Sequence, residues 1–225
     1  MIGIVPAAGY ATRLGKLSSS KEMLEIDGAP VIEHLLQRLQ IGGCTEIRVV
    51  ARPEKVDLCA YVERRGVRLV LAHPRHLGES VAAGLAGVGA QEIVALGYPD
   101  TLWEPRDGYA RLRDVLEEDD ELDVVLGLFE TPEAARSDVV RVDKTGRVVD
   151  ILVKPEDPPS PLVYGCLVAR RSALFDVGAH EWPTDALRPS IARRRVGSLF
   201  LSSRWLDIGT PDALARALGS PNVGS

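Results

Sequence analysis

Apolar positions along this chain follow two periods that alternate. Residues 2–6, 46–51, 67–72, 92–96 and 122–128 are short apolar runs of the kind a fully buried strand shows. Between them, residues 30–40, 53–65, 78–86 and 107–118 carry helical spacing. It is clearest where Val31, Ile32, Leu35, Leu36 and Leu39 line one stripe behind Pro30, a residue suited to a first helical turn. Buried strands alternating with amphipathic helices predict an α/β fold, a mostly parallel sheet covered on both faces. Ligands of such a sheet sit outside the carboxyl ends of the strands, so functional residues are expected just after strands.

The pattern changes in the second half. Residues 139–142, a turn at Asp143-Lys144-Thr145-Gly146 and residues 147–153 predict a hairpin, and residues 162–169 predict a further strand. The hairpin is expected to form a small β insert, a lid or wall over the site. Residues 211–218 predict a last helix. A chain of 225 residues without a composition shift is expected to form one domain, residues 1–220. Residues 156–161 and the Gly/Ser/Pro tail after Leu218 read as loop and frayed end.

Composition narrows the function classes. The formal charge is −5, and the only basic triplet, Arg193-Arg194-Arg195, reads as a solvated helix end, which argues against a nucleic-acid or anionic-membrane partner. No basic residue precedes the first apolar run and no run is long enough to span a bilayer, so a cytoplasmic protein is expected. Cys44, Cys59 and Cys166 are odd in number and scattered, which predicts free thiols. The four histidines share no metal-like spacing, and Trp103 and Trp182 read as core residues before base-stacking ones.

The densest chemistry lies at the start, in Ile4-Val5-Pro6-Ala7-Ala8-Gly9-Tyr10-Ala11-Thr12-Arg13-Leu14-Gly15, followed by Ser20-Lys21-Glu22-Met23-Leu24. A buried strand that breaks into small residues leaves backbone N–H groups aimed outward, which is a phosphate cradle. Arg13 and Lys21 add a fork-shaped and a compact cation to the same loop, where a triphosphate would carry its charge. Two acids stand in suggestive places: Asp100, in Gly97-Tyr98-Pro99-Asp100-Thr101 just after a buried strand, and Asp207, in Trp205-Leu206-Asp207-Ile208-Gly209-Thr210-Pro211. Each reads equally as a turn or capping carboxylate when taken alone.

Together these segments resemble the sugar-1-phosphate nucleotidylyltransferases, whose pattern runs roughly Ala-Gly-Gly-x-Gly-Thr-Arg-Leu, then Pro-Lys-Pro-Leu, then Gly-Lys-Pro-Leu-Ile, here Gly28-Ala29-Pro30-Val31-Ile32. Ala11 stands where the family has a second Gly. The resemblance implies a three-layer, Rossmann-like, mostly parallel sheet flanked by helices with a small β insert, the nucleotide-diphospho-sugar transferase-like fold. It implies Arg13 and Lys21 as catalytic cations, and Ala7, Ala8, Gly9, Thr12, Arg13, Gly78 and Ser80 as nucleotide-binding residues. It further implies Lys154, Gly165 and Asp138 at the sugar phosphate, and Asp100 and Asp207 as ligands of Mg²⁺. Lys154 also reads as a solvated strand end, Ser80 as part of a capped helix and Gly165 as a packing glycine. Val153 replaces a family Glu that accepts sugar hydroxyls, which leaves the sugar open.

The partners so implied are a nucleoside triphosphate and a sugar 1-phosphate, with dTTP and glucose 1-phosphate as the first guess; a homo-oligomer is left open. A cytidylyl- or guanylyltransferase acting on another phospho-sugar or phospho-alcohol is the neighbouring alternative. A non-catalytic nucleotide-sugar sensor is the alternative from another class, and such a protein would be expected to lose the charged residues that this chain keeps. A dinucleotide-binding oxidoreductase is disfavoured because the first loop lacks the Gly-x-Gly-x-x-Gly spacing.

Overall fold

The computed structural model describes residues 1–10, 19–209 and 211–219. Arg13, Thr12 and Ala11 lie outside the described residues. Four parallel strands come first: β1 (Ile2–Pro6), β4 (Glu46–Ala51), β5 (Arg68–Leu71) and β6 (Ile93–Gly97) lie in the order β6-β1-β4-β5. The short strands β2 (Glu25–Ile26) and β3 (Ala29–Pro30) form a separate antiparallel pair across a turn at Asp27 and Gly28, both at positive φ. The helices between the parallel strands are α1 (Val31–Ile41), α2 (Val56–Arg64) and α3 (Leu77–Gly84). Pro30 sits one residue before α1, at its cap, rather than inside the first turn.

Beyond β6 the sheet becomes mixed. A long strand, β11 (Leu162–Arg170), runs antiparallel to β6 on one side and to β8 (Val124–Glu130) on the other, and β12 (Val196–Ser202) is parallel to β8. The expected hairpin forms as β9 (Val139–Val142) and β10 (Val148–Leu152), and it joins the sheet where Val139 pairs with Val163 of β11. The turn is as read: Asp143 Oδ1 accepts from Thr145 N–H at 2.8 Å, and Gly146 takes φ 80°. The pairings leave β5, β4, β1, β6, β8, β12 and β9 running one way, with β11 and β10 opposed. The mostly parallel sheet expected from the periodicity is present; β12, which the sequence reading did not single out, completes its far edge.

The two faces of the sheet bury different partners because successive strand residues point to opposite sides. On one face Val5, Ala95 and Val125 pack with Leu35, Leu36 and Leu39 of α1, Leu58 and Val62 of α2, and Tyr109, Leu112 and Leu116 of α4 (Gly108–Glu118). On the other, Ile4, Val94 and Leu126 meet Val81 and Leu85 at α3, and Leu174, Val177 and Leu187 from the stretch leading into α5 (Arg188–Ala192). A smaller cluster of Ile26, Val31, Leu102, Ile208 and Ala217 lies under a ribbon made by β7 (Thr101–Trp103) and β13 (Trp205–Asp207), with α6 (Pro211–Gly219) following. Cys44, Cys59 and Cys166 are free thiols, and burial pushes Cys166 well above the usual thiol range.

Gly97 ends β6 where no larger residue fits. A Cβ there would lie 2.0 Å from Tyr109 Oη and 2.6 Å from Leu35 Cδ1, and that hydroxyl is itself held by the Leu96 carbonyl at 3.2 Å. Gly97→Ala is therefore expected to lower the unfolding free energy by about 2 kcal/mol through overpacking. Urea denaturation reads this directly, and a variant as stable as the parent overturns the packing argument.

Candidate active site

The carboxyl ends of β1, β4 and β6 meet on one side of the sheet. After β1, the Ala7 N–H still donates to the Val50 carbonyl at 2.8 Å, and the chain then turns outward through Ala8 and Gly9 to an exposed Tyr10. Lys21 starts a short 3-10 turn, Lys21–Met23, and its Nζ lies 2.5 Å from Asp100 Oδ2. Asp100 follows β6 in a tight turn, in which the N–H and hydroxyl of Thr101 donate to the Tyr98 carbonyl at 3.3 and 2.9 Å.

Asp207 is brought beside Asp100 by backbone pairing. It lies opposite Thr101 in the β7–β13 ribbon, and the Ile208 N–H donates to the Asp100 carbonyl at 2.9 Å. One carboxylate oxygen, Oδ1, accepts from the Gly209 N–H at 2.7 Å, so the turn role of this acid and its place in the site coexist. The electrostatics place Lys21, Asp100 and Asp207 together. Burial alone would lower the Lys21 pKa, but Asp100, Glu22 and Asp207 outweigh it and hold it above the usual lysine value.

Two cavities open around this cluster. A groove of about 420 Å³ runs along Ala8, Gly9, Lys21, Ser80 and Asp100. A smaller cavity of about 140 Å³ is lined by Asp138, Lys154, Tyr164, Gly165, Asp207 and Asp100. Leu77, Tyr98, Asp100 and Trp182 line both, so the two spaces touch at the acid that Lys21 holds.

Most residues singled out in the sequence line one space or the other. In the groove, Ser80 is buried and its Oγ finds no hydrogen-bond partner among the described residues. The cap of α3 is His76, whose Nδ1 accepts from the Glu79 N–H at 3.3 Å, so Ser80 has no capping duty. Gly78 is placed by packing: a Cβ would sit 2.0 Å from the His180 carbonyl oxygen, and the residue backs the helix start without lining the groove. Ala7 is likewise buried behind the loop.

The hairpin supplies two groups to the small cavity from its two ends. Asp138 immediately precedes β9, accepts from Thr184 Oγ1 at 3.2 Å, and burial raises its pKa against the pull of Thr184 and Lys154. Lys154 follows β10 at φ 43°, and its Nζ lies 3.7 Å over the Trp182 ring. Gly165 admits the close approach of Trp205: a Cβ would lie 2.6 Å from Trp205 Nε1.

Sequence reasoning missed Tyr98 in the wall between the two spaces and read Trp182 as core first, whereas Trp182 is half-buried and lines both. The Tyr98 and Tyr164 hydroxyls are 2.5 Å apart, with ring centroids at 6.1 Å in edge contact, and burial raises both phenols far above their usual range. Position alone could have flagged Tyr98, since it directly follows a buried strand. Trp182 comes from a stretch of short 3-10 turns with no period to read. Among the described residues no cluster of three or more His, Cys, Asp or Glu side chains is poised for a metal, so the Mg²⁺ expected at Asp100 and Asp207 would rest on these two carboxylates. Two adjacent carboxylates suit a hard ion that keeps its own waters and takes phosphate oxygens.

Residues 3–181 match the MobA-like NTP transferase domain family. AglF of Haloferax volcanii, a UTP–glucose-1-phosphate uridylyltransferase, is 27% identical over 94% of this chain and 93% of its own length. The bifunctional protein GlmU of Methanocaldococcus jannaschii is 24% identical over 94% of this chain, which spans only 52% of GlmU, about half of it. A Bacillus anthracis protein assigned as a glucose-1-phosphate thymidylyltransferase, solved with a sucrose, superposes with a TM-score of 0.85 over 100% of this chain and 98% of its own, at 18% identity. That likeness bears on the fold, and it bears out the Rossmann-like, sheet-between-helices architecture. The resemblance read from the motifs is borne out by relatives of the same class. A strand-end loop of small residues, a lysine and two adjacent acids, and a family match across most of the chain lead to one conclusion: this protein belongs to the MobA-like NTP transferase domain family and is a nucleotidyltransferase.

Proposed function

We propose that the enzyme joins a sugar 1-phosphate to a nucleotidyl group from a nucleoside triphosphate and releases pyrophosphate. The observation that carries this reading is the pair of touching cavities with Asp100 at their junction: one space for each substrate, meeting at the acid that Lys21 holds. The larger groove takes the nucleotide. The smaller cavity, with Asp138 and Lys154, takes the sugar phosphate. An oxygen of the sugar phosphate attacks the α-phosphorus in line, the new P–O bond forms as the bond to the β-phosphate oxygen breaks, and no covalent enzyme intermediate is needed.

Each side chain then has a task. Lys21 is long and flexible enough to exchange Asp100 for an α-phosphate oxygen, and Lys154 meets the sugar phosphate from the opposite side. Arg13, with Thr12 beside it, is assigned to the leaving pyrophosphate from its motif. Asp100 and Asp207 would hold Mg²⁺, whose chemistry when bound is to neutralise charge at the reacting phosphates. For the donor base, the name of the Haloferax relative supports UTP, with dTTP, the first guess from sequence likeness, as the competing substrate; glucose 1-phosphate is the acceptor.

The test is pyrophosphate release with Mg²⁺ across UTP, dTTP, CTP and GTP against glucose 1-phosphate and other sugar phosphates. Release that requires both substrates is expected, and none with any pair overturns the reading in favour of a binding protein on the same fold. Asp207→Asn is expected to lower kcat by about 100-fold with the thermal unfolding midpoint unchanged, because it removes one of the two carboxylates that would hold Mg²⁺. Full turnover in that variant removes Asp207 from the chemistry. Tyr164→Phe is expected to raise KM for the sugar phosphate about tenfold through one lost hydrogen bond, leaving KM for the nucleotide within about twofold, because Tyr164 lines the smaller cavity and not the groove. Equal shifts in both KM values would deny Tyr164 a place on the acceptor side.

A further inference from the structure

One loop grips the elements around the groove, Lys55 from behind and Arg52 from the rim. Between β4 and α2, Arg52 Nε donates to the Ala8 carbonyl at 3.0 Å, and another nitrogen of the same guanidinium donates to the Pro74 carbonyl. Three residues on, Lys55 Nζ donates to the Ala7 carbonyl at 2.7 Å and to both oxygens of Glu22 at 2.8 and 2.9 Å. Glu22 is fully buried, and Lys55 is largely so. In the first turn of α2, Asp57 accepts from the Ser20 N–H at 2.7 Å and the Ser20 hydroxyl at 2.6 Å.

The geometry of these contacts bears on phosphate binding. A trans peptide directs its N–H opposite to its C=O. Holding the Ala7 and Ala8 carbonyls inward therefore turns the next N–H groups, those of Ala8 and Gly9, away from Arg52 and Lys55. Two successive N–H groups turned to one side make an anion-binding nest, and both Ala8 and Gly9 line the groove. The same loop fixes Lys21, since both of its sequence neighbours are tied: Ser20 by Asp57 and Glu22 by Lys55. Arg52 also lies 4.2 Å over the Tyr10 ring, at the outer end of the cradle.

We propose that Lys55 is a positioning residue for the triphosphate: it aims the backbone N–H groups of the cradle from behind and, through Glu22, holds Lys21 in register with them, while Arg52, which lines the groove itself, fixes the Ala8 carbonyl from its rim. This rests on the reading of the groove as the nucleotide site. Lys55 does not line the groove and needs no contact with the substrate, whereas Arg52 stands where a phosphate can reach it. A buried carboxylate is a costly way to anchor a turn unless its partner cation is fixed, and here the partner is fixed by a third group, the Ala7 carbonyl.

Removing Lys55 alone would strand a buried charge, so the test uses the double variant Lys55→Met/Glu22→Gln, with Arg52→Gln at a half-buried position as an independent second. Binding is measured by titration calorimetry with UTP, with uridine, and with inorganic tripolyphosphate as a probe that carries no base. For the double variant, the Kd for UTP and for tripolyphosphate is expected to rise at least tenfold while that for uridine stays within twofold. Arg52→Gln should follow in the same direction, by about fivefold. In turnover, KM for the nucleotide should rise with KM for the sugar phosphate unchanged. A purely structural role would weaken uridine and UTP alike, and that outcome, or unchanged tripolyphosphate binding in the double variant, overturns the positioning role while leaving the function standing. A parent enzyme that binds neither UTP nor tripolyphosphate overturns both.

Discussion

The site depends on β6 ending between two unlike neighbours. On one side β1 runs parallel and stops level with it, so the two strand ends open together into the groove. On the other, β11 runs antiparallel and only its second half, from Cys166 onward, pairs with β6. Its first half extends past the end of β6 and takes β9 as its partner there. The space that β6 leaves unfilled becomes the smaller cavity, with Asp138 and Tyr164 as its wall. Asp100, three residues beyond the strand, has nowhere to lie except between the two spaces. A reversal of one strand thus creates a second pocket from a sheet that would otherwise offer one.

Charge follows the same division. Asp100 and Asp207 stand on the boundary, tied together through the backbone of the β7–β13 ribbon, and Lys21 faces them from the groove. Lys154 lies in the smaller cavity, packed on Trp182. Cations therefore approach the acids from both sides, an arrangement suited to two phosphates that must come together despite like charge. Asp138 stands apart from this set. Burial favours its neutral form, and in either form the carboxyl is a hydrogen-bonding group aimed at hydroxyls more than at phosphate.

The order of strands and helices was legible because β1, β4 and β6 are buried on both faces and the helices on one, so period and length separate them cleanly, even though the edge strand β5 is partly exposed. The ends were less so: α2 begins at Val56 rather than near Pro53, because residues 52–55 turn back to grip the cradle. The strand β12 escaped notice since it lies at an edge, with Phe200 half exposed and no clean alternation. Within the site, residues next to a motif were visible, as Lys21, Asp100 and Asp207 were. Residues recruited by topology were missed, as Tyr98 and Arg52 were, or misread as core, as Trp182 was: they line one groove only after β11 has reversed and α3 has packed on the 177–180 segment, and no local pattern encodes such a meeting.

The cradle itself illustrates how side chains can take over a task usually left to glycine. Where the family pattern has several glycines, this chain has Ala8 and Ala11, residues with less backbone freedom in the unfolded chain and less conformational entropy to lose on folding. Fewer glycines also mean fewer ways for the loop to adapt to a phosphate, so its donors must be aimed beforehand. Arg52 and Lys55 supply that aim by fixing two consecutive carbonyls, and each also reaches a second element, the Pro74 turn before α3 and the Glu22 turn beside Lys21. The three walls of the groove are thereby referred to a single loop. Held by Lys55 from behind and by Arg52 from the rim, the loop carries positive potential into the groove, which is where binding energy is needed for the reaction.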